Sequence, residues 1–352
     1  MGNILIINLG SVSSKIAVFD NETSLFEKTI EHKAQDLACF DKILDQKEFR
    51  RTLIEQAVAD AGYKMETFAA VCSRGGTLKP IQSGTYLIDE DVVADAVNPE
   101  IGGRHASTLG VVIASEIAKE YGIPAYFLDP VSTDEMTEEA HYTGYKGMYR
   151  QSMFHALNQK ARGREVAQKL GKPYESLNLI GVHMGGGVDV SGHFQGRVID
   201  TYDVRNDGCF SMDRCGNIPT TDVIDMCYSG LTKAEVKKKI FSEGGVFSYL
   251  GTKDFKEVES RVKNGDKEAE MVFRAMAYQH VKDIGTMAAA LKFKVDAIFF
   301  TGGIAHSELF CNAMKEYIGD FAPVFVIPGE NEMLSMAQGV TRVFAGGEVK
   351  KY

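Results

Sequence analysis

The stretch Ile4-Leu5-Ile6-Ile7-Asn8-Leu9-Gly10-Ser11 decides the fold of this 352-residue chain. Four apolar residues that run directly into a polar, glycine-containing turn predict a buried strand. Two more strand-like segments follow at 15–19 and 24–30, and the turn Asp20-Asn21 separates them. The start of the chain is therefore predicted to fold as a three-strand meander.

The same pattern returns about half a chain later. Residues 177–182 form an apolar run, the turn His183-Met184-Gly185-Gly186-Gly187 follows, and strand-like segments lie at 188–190 and 197–201. A repeat of this length is too long for a solenoid and predicts two similar domains. We place them at 1–150 and 151–332, with 333–352 crossing back to the first.

The segments between and after the two copies alternate in type. Helical spacing of apolar residues predicts helices at 47–61, 106–121, 267–291, 307–317 and 332–344, and short apolar runs predict strands at 68–72, 125–128 and 297–301. This alternation predicts a mixed α/β architecture, with short hinges between the domains.

The composition limits the possible partners. The chain carries 48 acidic and 39 basic side chains, a net charge of −9, so we expect neither nucleic acid nor an anionic membrane as a partner. An anionic substrate must then be met by a local cluster of cations, backbone N–H groups or metal. The six cysteines show no C-x-x-C pair, and no segment resembles a signal peptide or a membrane span, so we expect a cytoplasmic protein with reduced thiols.

Three glycine-bearing turns follow predicted strands, at 8–15, 183–187 and 301–304. Small residues and hydroxyl groups at the end of a buried strand let the backbone approach a phosphate and donate to it. Each turn alone is a weak signal, because a hairpin turn or a bulge can have the same residues. Three consecutive glycines at 185–187 are harder to explain as a plain hairpin.

A series of short motifs runs from one end of the chain to the other, at 8–15, 74–76, 105–107, 129–131, 154–160, 183–187, 196–200, 214–216, 301–305 and 328–333. In this order the set resembles butyrate kinases and, more distantly, acetate kinases. The resemblance implies two duplicated actin-like ATPase (ribonuclease H-like) domains with a nucleotide cleft that closes as a hinge. It also implies ATP/ADP and Mg²⁺ as cofactors and a homodimer or higher homo-oligomer formed through the second domain.

The resemblance also implies site residues. It gives a catalytic set of Arg74, His155, Arg214, Asp129 and His105. It gives a nucleotide-binding set of Asn8, Ser11, Ser13, Lys15, His183, Gly185, Gly186, Gly187, Gly302 and Gly303. It places Asn8 and Glu332 beside the metal, with Asp129 on the same side of the site.

Each side chain in these sets has a structural alternative. Arg74 could be a salt-bridged surface residue, and Arg214 could pair with Asp213. The His155 side chain could be a satisfied, partly buried imidazole. Asp129 precedes a proline as turn-starting residues do, and Glu332 suits the first turn of a helix.

The implied reaction suits this set of residues. A carboxylic acid with a pKa near that of Glu, about 4.3, is already ionised at neutral pH, so its oxygen needs no general base to attack the γ-phosphorus of ATP. The remaining requirement is for cations and hydrogen-bond donors that hold two anions together and stabilise the charge on the transferring phosphoryl group.

The chain departs from the family pattern at several positions. Leu9 and Val12 stand where a proline and a threonine are usual, and Asp189 stands where a small neutral residue is usual. The loop 201–210 also differs. These departures leave the acid open between butyrate, a branched analogue, acetate and propionate. A sugar kinase with Asp129 as its base and an actin-like ATPase without acyl kinase activity are the alternative functions.

Overall fold

The computed structural model describes residues 2–103 and 105–352. The chain forms two compact units. The first runs to Asp134 and includes Asn331–Tyr352, and the second is Glu135–Glu330. None of the helices in the described ranges is both long and apolar enough to cross a membrane.

The first unit is built on a six-stranded sheet in the order β3-β2-β1-β4-β6-β5. Its strands are β1 (Ile4–Leu9), β2 (Ser13–Asp20), β3 (Thr23–Glu31), β4 (Ala70–Arg74), β5 (Thr85–Leu87) and β6 (Ala125–Leu128). The meander β1-β2-β3 is antiparallel, whereas β4 pairs in parallel with both β1 and β6. All six residues of β1 are buried, as a central strand with a continuous apolar run requires.

Within the described ranges, the α-helices of the first unit are α1 (Ala34–Leu37), α2 (Lys47–Asp60), α3 (Glu90–Val97), α4 (Ala106–Tyr121) and α13 (Glu332–Phe344). α4 is buried along most of its length and ends at Gly122, whose φ of 65° suits a helix C-terminus. α13 packs against β1, β4 and β6, so the end of the chain returns to the first sheet.

The second unit is built on a five-stranded sheet in the order β11-β10-β7-β8-β9. Its strands are β7 (Asn178–Met184), β8 (Val188–Phe194), β9 (Arg197–Thr201), β10 (Ala297–Thr301) and β11 (Val324–Val326). β7-β8-β9 is again an antiparallel meander, and β10 is parallel to β7 and β11. The order β9-β8-β7-β10-β11 repeats β3-β2-β1-β4-β6, which confirms the predicted duplication.

The helices of the second unit are α5 (Glu138–His141), α6 (Ala156–Leu170), α7 (Thr220–Cys227), α8 (Lys233–Phe241), α9 (Gly245–Leu250), α10 (Phe255–Lys263), α11 (Lys267–Ala290) and α12 (Glu308–Ile318). α6 packs on β7 and β10, and α11 packs on β7, β8 and β9. The core between α11 and the sheet includes Met276, Ile284 and Met287.

Two boundaries differ from the sequence prediction. The first unit ends at Asp134, before the predicted boundary at residue 150, because the following segment bonds to the second unit: Thr137 N–H donates to Ile199 O at 3.0 Å, and Arg150 pairs with Asp200 at 2.8 Å. The strand predicted at 68–72 is β4, Ala70–Arg74, because Phe68 closes a short 3-10 turn.

A buried ion pair fixes α6 within the second unit. Lys160 Nζ lies 2.5 Å from Glu135 Oε2, and the two side chains are only 2% and 8% exposed. The same Nζ donates to Gly196 O at 2.9 Å, and Glu135 Oε2 accepts the N–H of Val198 at 2.9 Å.

Replacing Lys160 by Met should lower the free energy of unfolding by about 3 kcal/mol, because it leaves the Glu135 carboxylate buried without its cation. Urea unfolding measures the change. Lys169→Met on the same helix is the control: Lys169 is half-exposed and its pair with Glu165 spans 3.7 Å, so a loss below about 1 kcal/mol is expected. Equal losses in the two variants would contradict the role given to the buried pair.

Candidate active site

Two histidines of the second unit lie face to face. The ring centroids of His155 and His183 are 3.8 Å apart and the rings are nearly parallel, at 18°. His155 directly precedes α6, and His183 lies near the carboxyl end of β7. The packing of α6 on β7 brings these two sequence-predicted residues together.

A buried carboxylate supports this histidine pair. Asp189 lies on β8 opposite His183, and its Oδ2 accepts hydrogen bonds from His155 Nδ1 and, at 3.2 Å, from the His155 backbone N–H. Gln159 Nε2 donates to the other oxygen at 2.8 Å. Burial acts to raise the pKa of Asp189, but the nearby His155 and His183 and the Gln159 bond outweigh it and hold the pKa below its usual value. Asp189 is therefore an anion at neutral pH.

Arg214 lies beside the glycine turn that follows β7. A Cβ placed on Gly187 would be 2.9 Å from Arg214 Nη1 and 3.4 Å from His155 Cε1, so both side chains approach this turn. Arg214 Nη1 donates to Val204 O at 2.8 Å. Its sequence neighbour Asp213 pairs instead with Lys253 at 3.1 Å. The predicted residues His155, His183, Arg214 and Gly187 thus form one cluster.

The two glycine turns of the second unit follow the adjacent parallel strands β7 and β10. Gly185 N–H donates to Gly187 O at 3.0 Å, and Gly302 exchanges backbone hydrogen bonds of 3.2 and 2.9 Å with Gly329. A Cβ on Gly186 or Gly303 would meet no described heavy atom within 4 Å. The backbone at these two glycines is therefore accessible to a ligand, which suits phosphate binding.

His183 also contacts two polar side chains. Its Nδ1 lies 3.2 Å from Asn158 Oδ1, and its Nε2 lies 3.4 Å from Glu330 Oε1. Asn158 Nδ2 is buried and has no hydrogen-bond partner among the described residues. A buried donor without a partner is costly unless a ligand or water accepts from it, so this atom fits a site for an anion.

A second group of predicted residues lies in the first unit, where β1, β4 and α13 end or begin. Asn8 Nδ2 donates to Glu332 Oε2 at 2.7 Å, and Arg74 Nη1 lies 3.3 Å from the same oxygen. Asn8 and Glu332 are 6% and 7% exposed, whereas Arg74 is only half-buried. Arg74 is thus salt-bridged, and Glu332 lies in the first turn of α13, as the structural alternatives predicted. These positions bring the side chains of Asn8, Arg74 and Glu332 together.

Two further predicted residues of this unit have local structural partners. His105 is the N-cap of α4, where its Nδ1 accepts the Ser107 N–H at 3.2 Å. The pKa of His105 is lowered, mainly by desolvation of the ring and to a smaller extent by the charge of Arg74. Asp129 Oδ1 accepts from Ser83 Oγ at 2.6 Å and from Gly84 N–H at 2.8 Å. Asp129 Oδ2 is buried and has no partner among the described residues.

Comparison with known proteins identifies the family. The acetokinase family matches residues 138–321. Butyrate kinase 1 of Clostridium acetobutylicum is 45% identical over 353 residues, covering 100% of this chain and 99% of that protein. The chain belongs to the acetokinase family. The predicted family and the predicted enzyme class, a carboxylate kinase, are confirmed.

Solved structures agree with the fold of this acetokinase-family protein. Porphyromonas gingivalis acetate kinase matches with a TM-score of 0.79 at 20% identity, covering 97% of this chain and 100% of that one. A propionate kinase from Francisella tularensis matches with a TM-score of 0.74 at 17% identity, covering 96% and 99%. The predicted fold class, with two duplicated actin-like domains, is confirmed.

The loop after β1 in this acetokinase-family protein is fixed by a residue that sequence reasoning missed. Arg50 on α2 is fully buried and donates to the carbonyl oxygens of Gly10, Ser11 and Ser13 at 2.9, 2.9 and 3.1 Å. The predicted loop residues Ser11 and Lys15 are exposed and Ser13 is half-buried. One feature of the sequence could have revealed this role of Arg50: it is a cation on the apolar stripe of α2, one helical turn before the buried Ile54.

Arg50→Met should increase amide hydrogen exchange in residues 10–14 by more than tenfold, because three carbonyl groups lose a charged donor worth about 1.5–3 kcal/mol per bond. Exchange monitored by mass spectrometry measures this. Arg51→Met is the control, because Arg51 pairs with Glu55 and Glu120 and, within the described part of the chain, makes no hydrogen bond to that loop. Unchanged exchange in Arg50→Met would show that Arg50 does not fix the loop.

Proposed function

We propose that this protein transfers the γ-phosphoryl group of ATP to a short-chain carboxylic acid, butyrate or a branched analogue. A carboxylate oxygen forms a bond to the γ-phosphorus while the bond to the bridging oxygen of ADP breaks, and ADP keeps that electron pair. The products are an acyl phosphate and ADP, and the reaction is reversible. The choice of acid is supported by the 45% identity to a protein named butyrate kinase.

The cluster of His155, His183 and Arg214 is the observation that carries the proposal. These groups approach one glycine turn, where they can donate to phosphate oxygens as charge develops. His155 and Arg214 are assigned to the transferring phosphoryl group, and His183 to the ATP phosphates. No proton has to be removed from the acid, since a carboxylate is already ionised at neutral pH.

The first unit supplies the group for the carboxylate. Arg74 is assigned to it because a guanidinium binds a carboxylate with two parallel hydrogen bonds. Its ion pair with Glu332 holds the side chain at the end of β4. His105 is assigned to the same substrate side.

The ATP phosphates are assigned to the glycine turns at Gly185–Gly187 and Gly302–Gly303 and to the loop with Ser11, Ser13 and Lys15. Two observations support phosphate binding in the second unit. The backbone is accessible at Gly186 and Gly303, and Asn158 Nδ2 has no hydrogen-bond partner in the described part of the chain. In the first unit, the assignment is supported by Arg50, which fixes the loop through hydrogen bonds to its carbonyl oxygens.

Mg²⁺ is assigned to the side of the site with Asn8 and Glu332. The fit rests on oxygen atoms: neither Asn8 Oδ1 nor Glu332 Oε1 has a hydrogen bond to a described residue, and Asp129 Oδ2 is also without one. No cluster of three or more His, Cys, Asp or Glu side chains suited to a metal occurs in the described ranges. The carboxylate and amide oxygens of Glu332 and Asn8 suit Mg²⁺, which is usually held by one or two carboxylates, water and substrate phosphates. When bound, the ion neutralises phosphate charge.

We also propose a homodimer formed through the second unit, in the cytoplasm. Exposed apolar side chains near α9 and α11 support an interface there, because Tyr249 and Met271 are 63% and 67% exposed beside the same cavity.

A hydroxamate assay tests the reaction. The protein is incubated with ATP, Mg²⁺, hydroxylamine and, separately, acetate, propionate, butyrate, isobutyrate and isovalerate. We expect acid-dependent hydroxamate, with butyrate or a branched acid turned over faster than acetate. ATP hydrolysis that is independent of any acid would support an actin-like ATPase and overturn the proposal.

Arg74→Ala should lower kcat/KM for the acid by about 10²–10³-fold, because one positioned cationic donor is lost from the transition state. Arg214→Ala should have an effect of similar size. Arg51→Ala is the matched control in the first unit, since its partners Glu55 and Glu120 lie outside the site, and its kcat/KM should stay near the native value. Native activity in Arg74→Ala would remove that residue from the site.

A further inference from the structure

The surroundings of the Asp189 carboxylate show a specific arrangement. Its side chain is inaccessible to solvent and lies against the histidine pair. Burying an anion is costly unless it is paired and hydrogen-bonded. Asp189 is compensated by three donors, of which two belong to His155 and one to Gln159.

These bonds fix the orientation of the His155 ring. Since Nδ1 donates to Asp189, the ring edge with Nε2 is left to meet a ligand, and Nε2 has no hydrogen bond to a described residue. Gln159, one turn along α6, holds the other carboxylate oxygen. Gly181 leaves room for this amide, because a Cβ there would lie 1.9 Å from Gln159 Oε1.

The protonation state of His155 decides what Nε2 can do. A neutral imidazole has one N–H, and with the proton on Nδ1 its Nε2 presents a lone pair. A lone pair repels a phosphoryl oxygen, whereas the imidazolium donates from both nitrogens. Only the doubly protonated ring can bond to Asp189 and to a phosphoryl oxygen at once.

We propose that Asp189 is a positioning residue that keeps His155 doubly protonated, so that its Nε2–H binds the transferring phosphoryl group. The inference rests on the proposed function, which places His155 at that group. Asp189 itself touches no reacting atom and acts through His155.

The neighbouring charges explain why such a residue is needed. His183 stacks on one face of His155, and Arg214 approaches the same glycine turn. A positive charge on either one disfavours a proton on His155. Asp189 is the anion in direct contact with His155, while Glu330 lies against His183. Burial of Asp189 strengthens its attraction for the imidazolium, because the local dielectric constant is low.

A purely structural role is the competing explanation. Asp189 accepts the backbone N–H of His155 at the start of α6, as an N-terminal cap would. Asp189→Asn separates the two roles, because the amide oxygen can still accept both hydrogen bonds from His155 but carries no charge. The new amide nitrogen faces Gln159, whose own amide can rotate to accept from it. Asp189→Ser removes the carboxylate altogether and leaves a small neutral side chain.

The first experiment measures kcat against pH for the native enzyme, Asp189→Asn and Asp189→Ser. In Asp189→Asn we expect kcat near pH 7.5 to fall by about 10²-fold, with the KM for ATP changed less than about threefold, because a transition-state donor is lost. The loss should shrink as pH falls, because acid restores the second proton, and the midpoint of the alkaline decline should move at least about one pH unit downward. A loss of equal size at every pH, or no loss, overturns the proposal.

Asp95→Asn is the matched control. Asp95 is a buried carboxylate of the first unit that pairs with Lys79 at 2.7 Å and accepts from Tyr352 at 2.8 Å. The midpoint of its pH profile should equal that of the native enzyme. A shift of the same size in Asp95→Asn would overturn the assignment to Asp189.

The second experiment does not depend on activity. ¹⁵N spectra of histidine-labelled protein, with His155 assigned by its absence in His155→Asn, should show both ring nitrogens protonated at pH 7.5 in the native protein. In Asp189→Asn the ring should be neutral at that pH. A neutral His155 in the native protein overturns the inference, even if acyl phosphate is formed. A doubly protonated ring without acyl kinase activity refutes the proposed function and leaves the pairing intact.

Discussion

An acidic protein that joins two anions must concentrate positive charge locally, and the rest of this structure depends on that constraint. With a net charge of −9, the chain as a whole repels both ATP and a carboxylate. We assign this role to Arg74 in the first unit and to His155, His183 and Arg214 in the second. Catalysis of this kind needs positioned donors rather than a base.

The duplicated sheets explain how the chain positions such groups. In each unit a buried central strand, β1 or β7, ends in a turn of small residues, and a second parallel strand ends beside it. Buried charged residues then fix the loop and the side chain that lie at the ends of these strands. Arg50 holds the loop after β1 through three carbonyl groups, and Asp189 holds His155 through two donors. Both are charged residues at buried positions, Arg50 beside the buried residues of α2 and Asp189 on the buried strand β8.

The sequence was sufficient for most of the fold and for part of the site. Apolar runs and glycine turns predicted β1, β7 and β10, and helical spacing predicted α4 and α13, because these patterns follow directly from burial. The grouping of His155 with His183 depended on a family resemblance. The partners Arg50 and Asp189 were not predicted as supports, because a hydrogen bond between residues about 35 positions apart leaves no local pattern.

Binding of a transition-state analogue tests the central claim most directly. The affinity for ADP and Mg²⁺ is measured by calorimetry with and without aluminium fluoride and butyrate, in the native protein and in Arg74→Ala and His155→Ala. If cations act on the transferring phosphoryl group, the analogue mixture should tighten native binding by at least about 10²-fold. Each variant should lose most of this gain while binding ADP alone normally. An equal gain in all three proteins would contradict the account.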